Sequence, residues 1–239
     1  DDTASAVTNI GFDFYFLGTR YTQFSASSNG YIRLGGTAVS TTQYTLGTAS
    51  AADDVLFLEN TNLSIRKYVN GVLSPATTGI TESSANFEFI APFTMNQGNK
   101  QQLWTGGWYA WRTINQATSW TQAASLLSGD GSVSALAAHP LDGNRVIIGM
   151  SDGYISSQTA ALSTTSATAW PATRPSNNYI SWVTWDPNNL NVAYATVSGF
   201  GVTNLFKSVN GGATWTPSVG TGATALPQIP ALSVVVHPT

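Results

Sequence analysis

The chain has 239 residues, 42% of them apolar and only 9% charged, with a formal net charge of −3. That is ample length for a buried core, but too little Glu, Lys and Arg for a coiled coil or a long-helix bundle. Eight Trp, nine Tyr and ten Phe demand burial, which argues against an intrinsically disordered chain.

Arg66-Lys67 is the only adjacent pair of bases, so counterion release from nucleic acid has little to work with and no nucleic-acid partner is expected. No run of about 18 apolar residues occurs, so no membrane span is expected. The absence of Cys removes disulfides, thiolate metal sites and Cys nucleophiles together. The start, Asp1-Asp2-Thr3, reads as a processed mature terminus or a cut one. Few Lys and Glu beside 26 Ser and 31 Thr set the expectation of an extracellular or cell-surface bacterial protein.

In chain order, Phe12, Phe14 and Phe16 alternate with Asp13 and Tyr15, the period of a half-buried strand. A second strand-like run over 23–27 meets Asn29-Gly30 and then Tyr31-Ile32-Arg33-Leu34, which predicts a hairpin. Residues 37–52 carry Thr, Ser and Ala without pattern and read as a linker. The expected organisation is therefore an N-terminal β segment with linker over 1–52 and a second region over 53–239.

From about residue 53 the sequence repeats. A short apolar strand ending in a polar-Pro dipeptide recurs at His139-Pro140, Asp186-Pro187 and His237-Pro238, with a degenerate copy at Asn96-Gln97. These anchors are 43, 47 and 51 residues apart. A second anchor is the octapeptide Ser208-Val209-Asn210-Gly211-Gly212-Ala213-Thr214-Trp215. Thr113, Asn115 and Trp120 keep its pattern, Ser163 and Trp170 keep part of it, and Lys67 to Gly71 is a faint copy. Periods of 40–50 with four short strands per unit indicate propeller blades. Each unit has two apolar faces and must stack on neighbours. In the octapeptide Asn210 is placed to bond backbone N–H groups across the turn. Gly212 permits a conformation a Cβ would penalise, and Trp215, like Trp120 and Trp170, is expected to wedge between sheets.

Ser208-x-Asn210-x-Gly212-x-Thr214-Trp215 resembles the Asp-box, or BNR repeat, with Asn in place of Asp. The resemblance implies a β-propeller of the type found in sialidases, xyloglucanases and sortilin-like receptors, over residues 53–239. The stretch Gly11-Phe12-x-Phe14-x-Phe16-x-Gly18, with Ser28-Asn29-Gly30-Tyr31, resembles a β-rich segment at the front of bacterial surface proteins. The expected fold is all-β: a partial or incomplete β-propeller of about four four-stranded blades, preceded by a short β-hairpin segment. Propellers of this family usually have six to eight blades. The remaining strands are expected from a longer protein or from another copy of the chain completing the ring or forming an assembly.

Candidates for chemistry are few. Glycoside hydrolysis needs two carboxylates roughly 5–10 Å apart, and Asp53, Asp54 and Asp152 are the candidates near strand ends. Asp186 and the two histidines, His139 and His237, share one repeat position and read as turn cappers. Arg33, Arg66, Arg112, Arg145 and Arg174 are scattered, unlike the Arg cluster a sialidase needs. No metal site or cofactor is expected, with structural calcium considered only around Asp53-Asp54 or Asp130. Trp108 and Tyr109, in a strand-connecting turn, are the candidates for stacking on a sugar. The leading expectation is a non-catalytic extracellular or surface module for adhesion, carbohydrate binding or structural assembly. The alternative is a polysaccharide-acting glycoside hydrolase fragment using an Asp pair.

Overall fold

A computed structural model describes residues 3–16, 19–26, 32–38, 55–58, 62–69 and 72–237. The chain divides into two compact units, Asp1–Asp54 and Val55–Thr239. The expected linker, the Asn29-Gly30 turn and Asp53-Asp54 lie largely or wholly outside the described residues.

In the first unit β1 (Thr8–Phe16), β2 (Thr19–Ala26) and β3 (Ile32–Leu34) form an antiparallel sheet in the order β1-β2-β3. The register of β1 on β2 shifts between Asn9 and Phe14, where Gly11 has a φ of 83°. This irregularity interrupts the simple alternation, and it leaves Phe12 exposed while Phe14 is half-buried.

The second unit is a succession of small antiparallel sheets. β4 (Val55–Leu58), β5 (Arg66–Val69) and β6 (Val72–Pro75) make a three-stranded sheet. β7 (Phe93–Met95), β8 (Leu103–Gly106), β9 (Ala110–Thr113) and β10 (Thr121–Gln122) make a four-stranded one. The next has β11 (Val133–His139), β12 (Asp142–Met150), β13 (Ile155–Gln158) and β14 (Ala172–Thr173). The last has β15 (Ile180–Trp185), β16 (Ala193–Val197), β17 (Leu205–Ser208) and β18 (Thr216–Pro217). Strands pair in sequence order, each joined to the next by a hairpin, as the 40–50-residue repeat predicts.

The cores lie between successive sheets. Val146, Ile148 and Met150 of β12 pack with Trp104 and Ala110 of the preceding sheet, while Ile147 packs with Ile180, Val183 and Ala195 of the following one. A strand alternating between two apolar partners needs no polar face, which explains the continuous apolar run Val146-Ile147-Ile148. A third cluster joins Ile65 and Ala76, flanking the three-stranded sheet, to Phe87, Leu103, Trp111 and Trp120.

β7, β11 and β15 open successive sheets and lie each against the next, which makes them the innermost strands of the blades, and the polar residue at the end of each caps the turn that follows. Asn96 Oδ1 accepts from Gly98 N at 2.8 Å, His139 Nδ1 from Leu141 N at 3.0 Å and Asp186 Oδ1 from Asn188 N at 2.9 Å. Three residues later Asn99, Asp142 and Asn189 repeat the device on the N–H two positions on. The histidine is thus a buried member of a turn series.

Candidate functional site

The outer turns connect the third and fourth strands. Thr113 Oγ1 donates to Asn115 Oδ1 and accepts from Ala117 N, while Asn115 Oδ1 accepts from Ser119 N. Ser208, Asn210, Gly212 and Thr214 reproduce these bonds at 3.0, 2.9 and 2.9 Å. Both turns carry two successive residues with positive φ: Gln116 (53°) and Ala117 (56°) in one, Gly211 (71°) and Gly212 (87°) in the other.

The third copy differs. Val146 pairs with Gln158 as Leu103 pairs with Thr113 and Ala193 with Ser208, so Gln158 holds the first turn position. Ser163, expected there, lies five residues further on, in a longer connection, and its hydroxyl donates to Ala160 O. Ser163 stands seven residues before Trp170, as Ser208 stands before Trp215, and that spacing carries no sign of the insertion. Trp170 itself donates from Nε1 to Ala123 O of the preceding sheet, as Trp120 donates to Ala76 O. Trp215 instead bonds Gly212 O within its own turn and is only half-buried.

The β8–β9 turn, residues 107–109, is held from two sides. Glu82 Oε1 accepts from Trp108 N at 2.6 Å and Oε2 accepts from Trp111 Nε1 at 2.7 Å. A Cβ on Gly107 would fall 2.8 Å from the backbone oxygen of Asn86 as well as 2.7 Å from Glu82 Oε1, so this approach requires glycine. Trp108 O accepts from Leu127 N and Gly107 O from Val133 N. Burial pushes the Glu82 carboxyl above its ordinary range, against the hydrogen bonds that favour its charged form.

On this fixed turn Trp108 stands 45% exposed. With Leu126, Leu127, Gly129, Asp130 and Gly131 it lines a shallow pocket of about 210 Å³. Asp152 supports the opposite wall: its Oδ2 accepts from Asp130 N at 3.0 Å, and its carbonyl accepts from Arg174 Nε and Nη2. Tyr109 is half-buried against the cluster containing Phe87 and Trp111, so the two candidate aromatics part company. The role of Glu82 has no signal in the repeat, because it lies 26 residues before the backbone it holds.

A larger concavity of about 470 Å³ is lined by Met95, Leu136 and Trp182 of the innermost strands and by Val235 of the C-terminal segment. Asp152 is engaged through Oδ2 by the backbone of Asp130 in the β10–β11 connection, and Asp53 and Asp54 lie outside the described residues. Among the described residues no three His, Asp or Glu side chains gather as a metal ion would need. Among the described residues no helix is long and apolar enough to cross a membrane.

A family model described as "NIDO related" matches residues 1–196, spanning the N-terminal sheet, the three-stranded sheet and most of the blades. The chain belongs to the NIDO-related family. This NIDO-related chain is similar in structure to the GH74 enzyme of Niastella koreensis, with a TM-score of 0.52 and 16% identity. The GH74 xyloglucanase of Xanthomonas campestris has a TM-score of 0.52 and 15% identity. YCF48 from Cyanidioschyzon merolae has a TM-score of 0.54 and 13% identity. These cover 72%, 70% and 84% of the NIDO-related chain, which spans 29%, 29% and 75% of theirs. No curated protein matches the sequence. At such identities the likeness shows the fold: the NIDO-related chain is all-β and carries a partial β-propeller.

Proposed function

We propose that this chain is a non-catalytic carbohydrate-binding module of an extracellular or cell-surface protein, built on blades of the Asp-box type. The single observation that carries the binding role is Trp108, a large aromatic held exposed on a backbone that Glu82, Leu127 and Val133 fix in place. A sugar ring presents an apolar face that stacks on an indole, and hydroxyls that bond to carboxylates and amides. Asp130 and the glycine backbone beside it offer the polar part. The Asp-box reading is supported by the matching bonds of Thr113-Asn115-Ser119 and Ser208-Asn210-Thr214.

The likeness to a GH74 xyloglucanase makes β-linked polysaccharides the first ligands to try. A glycan array with calorimetry on the hits tests the proposal. Trp108→Ala is expected to weaken binding at least about tenfold, some 1.4 kcal/mol, without lowering the melting temperature. Absence of any hit on a broad array, or binding indifferent to Trp108, rejects it.

A further inference from the structure

Residues 231–237 occupy the place of an innermost strand. Ser181 Oγ donates to Ala231 O, as Ser134 Oγ donates to Ile180 O at the start of β15. Ala231 N donates to Val197 O, as Val133 N donates to Gly107 O at the start of β11. Val236-His237 then repeats Ala138-His139 and Trp185-Asp186. Val234 and Val236 are half-buried while Val235 is 87% exposed. Yet among the described residues no strand pairs with this segment.

The three-stranded sheet is its converse. Lys67 lies opposite Phe57 as Arg112 lies opposite Trp104 and Lys207 opposite Tyr194. This register makes β4, β5 and β6 the second, third and fourth strands of a blade. Among the described residues β4 pairs only with β5, and its other edge carries no strand. Lys207 adds a further observation. Lys67 and Arg112 each reach the outer turn of the next sheet, but Lys207 lies over Tyr194, with no following outer turn among the described residues.

We propose that residues 232–237 of one copy pair antiparallel with β4 of a second copy, so that two chains share one four-stranded blade. An extended apolar strand and an open sheet edge are templates for each other. Both belong to the same compact unit and, among the described residues, do not pair with each other; their matching register lets a second copy supply the pairing. The pairs Thr94 with Trp104, Ala137 with Ile147 and Thr184 with Tyr194 fix the register, and they place Val235 opposite Phe57. Reciprocal exchange closes a two-copy ring, and one-way exchange extends a chain. Self-assembly of this kind does not involve Trp108.

The cysteine-free sequence allows a clean test by disulfide trapping in the 239-residue chain. Val235→Cys and Phe57→Cys chains are mixed and mildly oxidised, with Thr184→Cys/Tyr194→Cys as the within-chain control. The expected product is a mixed disulfide at twice the 25.2 kDa of one chain, absent from either variant alone. No mixed product while the control cross-links, or a link formed only within one chain by the double variant Val235→Cys/Phe57→Cys, overturns the proposal. Light scattering on the unsubstituted chain gives a second reading: a multiple of 25.2 kDa is expected, and a monomer at the highest soluble concentration counts decisively against it. Neither measurement involves Trp108, so failure here leaves the glycan reading untouched, and failure there leaves this one.

Discussion

Lys67 and Arg112 hold the same register position in consecutive sheets, and each caps the outer turn of the sheet that follows. Lys67 Nζ donates to Gln116 O at 2.8 Å. Arg112 Nη1 donates to Ala161 O and Thr164 O, both at 2.8 Å. A cation aimed at carbonyls of the next unit ties neighbouring blades together where their apolar contacts end.

Arg112→Ala removes these bonds and leaves partly buried carbonyls without their donor. Charge-assisted bonds of this kind contribute about 1.5–3 kcal/mol, so a loss of that order is expected in urea unfolding. Arg112→Lys, which copies Lys67, should restore part of it.

The paired positive-φ residues of the outer turns make opposite predictions for two sites. Gln116 adopts a φ of 53° without being glycine. Gln116→Gly is therefore expected to stabilise by about 0.5–1 kcal/mol, read as a raised melting temperature. Gly212→Ala should destabilise by about 1–3 kcal/mol, because its φ is 87° and the added Cβ falls 2.8 Å from Ser157 Cβ.

Burial holds the His139 imidazole below its ordinary value of 6.5, against the pull of nearby backbone carbonyls and Asp142. The folded chain keeps it neutral, while the unfolded chain takes up a proton as pH falls through 6.5. Stability should accordingly be flat above that pH and fall below it, until the lowered folded value is reached. His139→Asn, which copies Asn96, should flatten the fall in a series of melting curves.

Glu82 has the opposite sign. Its folded carboxyl is raised above 4.5, chiefly by burial. Its contribution is therefore fully present below 4.5 and is lost as pH rises through the raised value. Glu82→Gln should abolish that part of the profile. A neutral amide has one acceptor oxygen for the two donors, so the 107–109 turn should loosen and glycan binding weaken, although Trp108 itself is retained.

Trp120 and Trp170 donate across a sheet interface, whereas Trp215 bonds its own turn. Truncating a buried Trp to Ala costs about 3–5 kcal/mol. Trp120→Ala and Trp170→Ala are expected in that range, and Trp215→Ala below it, by chemical denaturation.

Much of the architecture was readable from residues close together in sequence. The blade strands follow from apolar runs, and the outer turns from a hydroxyl, an Asn and a second hydroxyl spaced over seven positions, bonded as i to i+2 and i to i+4. The capping role of Asn96, His139 and Asp186 is equally local, each reaching the N–H two positions on. Where locality fails, so does the reading. Ser163 has the spacing to Trp170 that Ser208 has to Trp215, but strand register puts Gln158 in its place.

The repeat, the all-β class and the turn chemistry are legible in the order of residues, because alternation and turn bonds act over a few positions. The folded chain, not the residue pattern, presents Trp108 and packs Tyr109. It also brings Glu82 to support the presenting turn, and begins residues 231–237 as an innermost strand begins. Each of these rests on contacts between residues some 20–50 positions apart, which stacking of blades creates and no local pattern encodes.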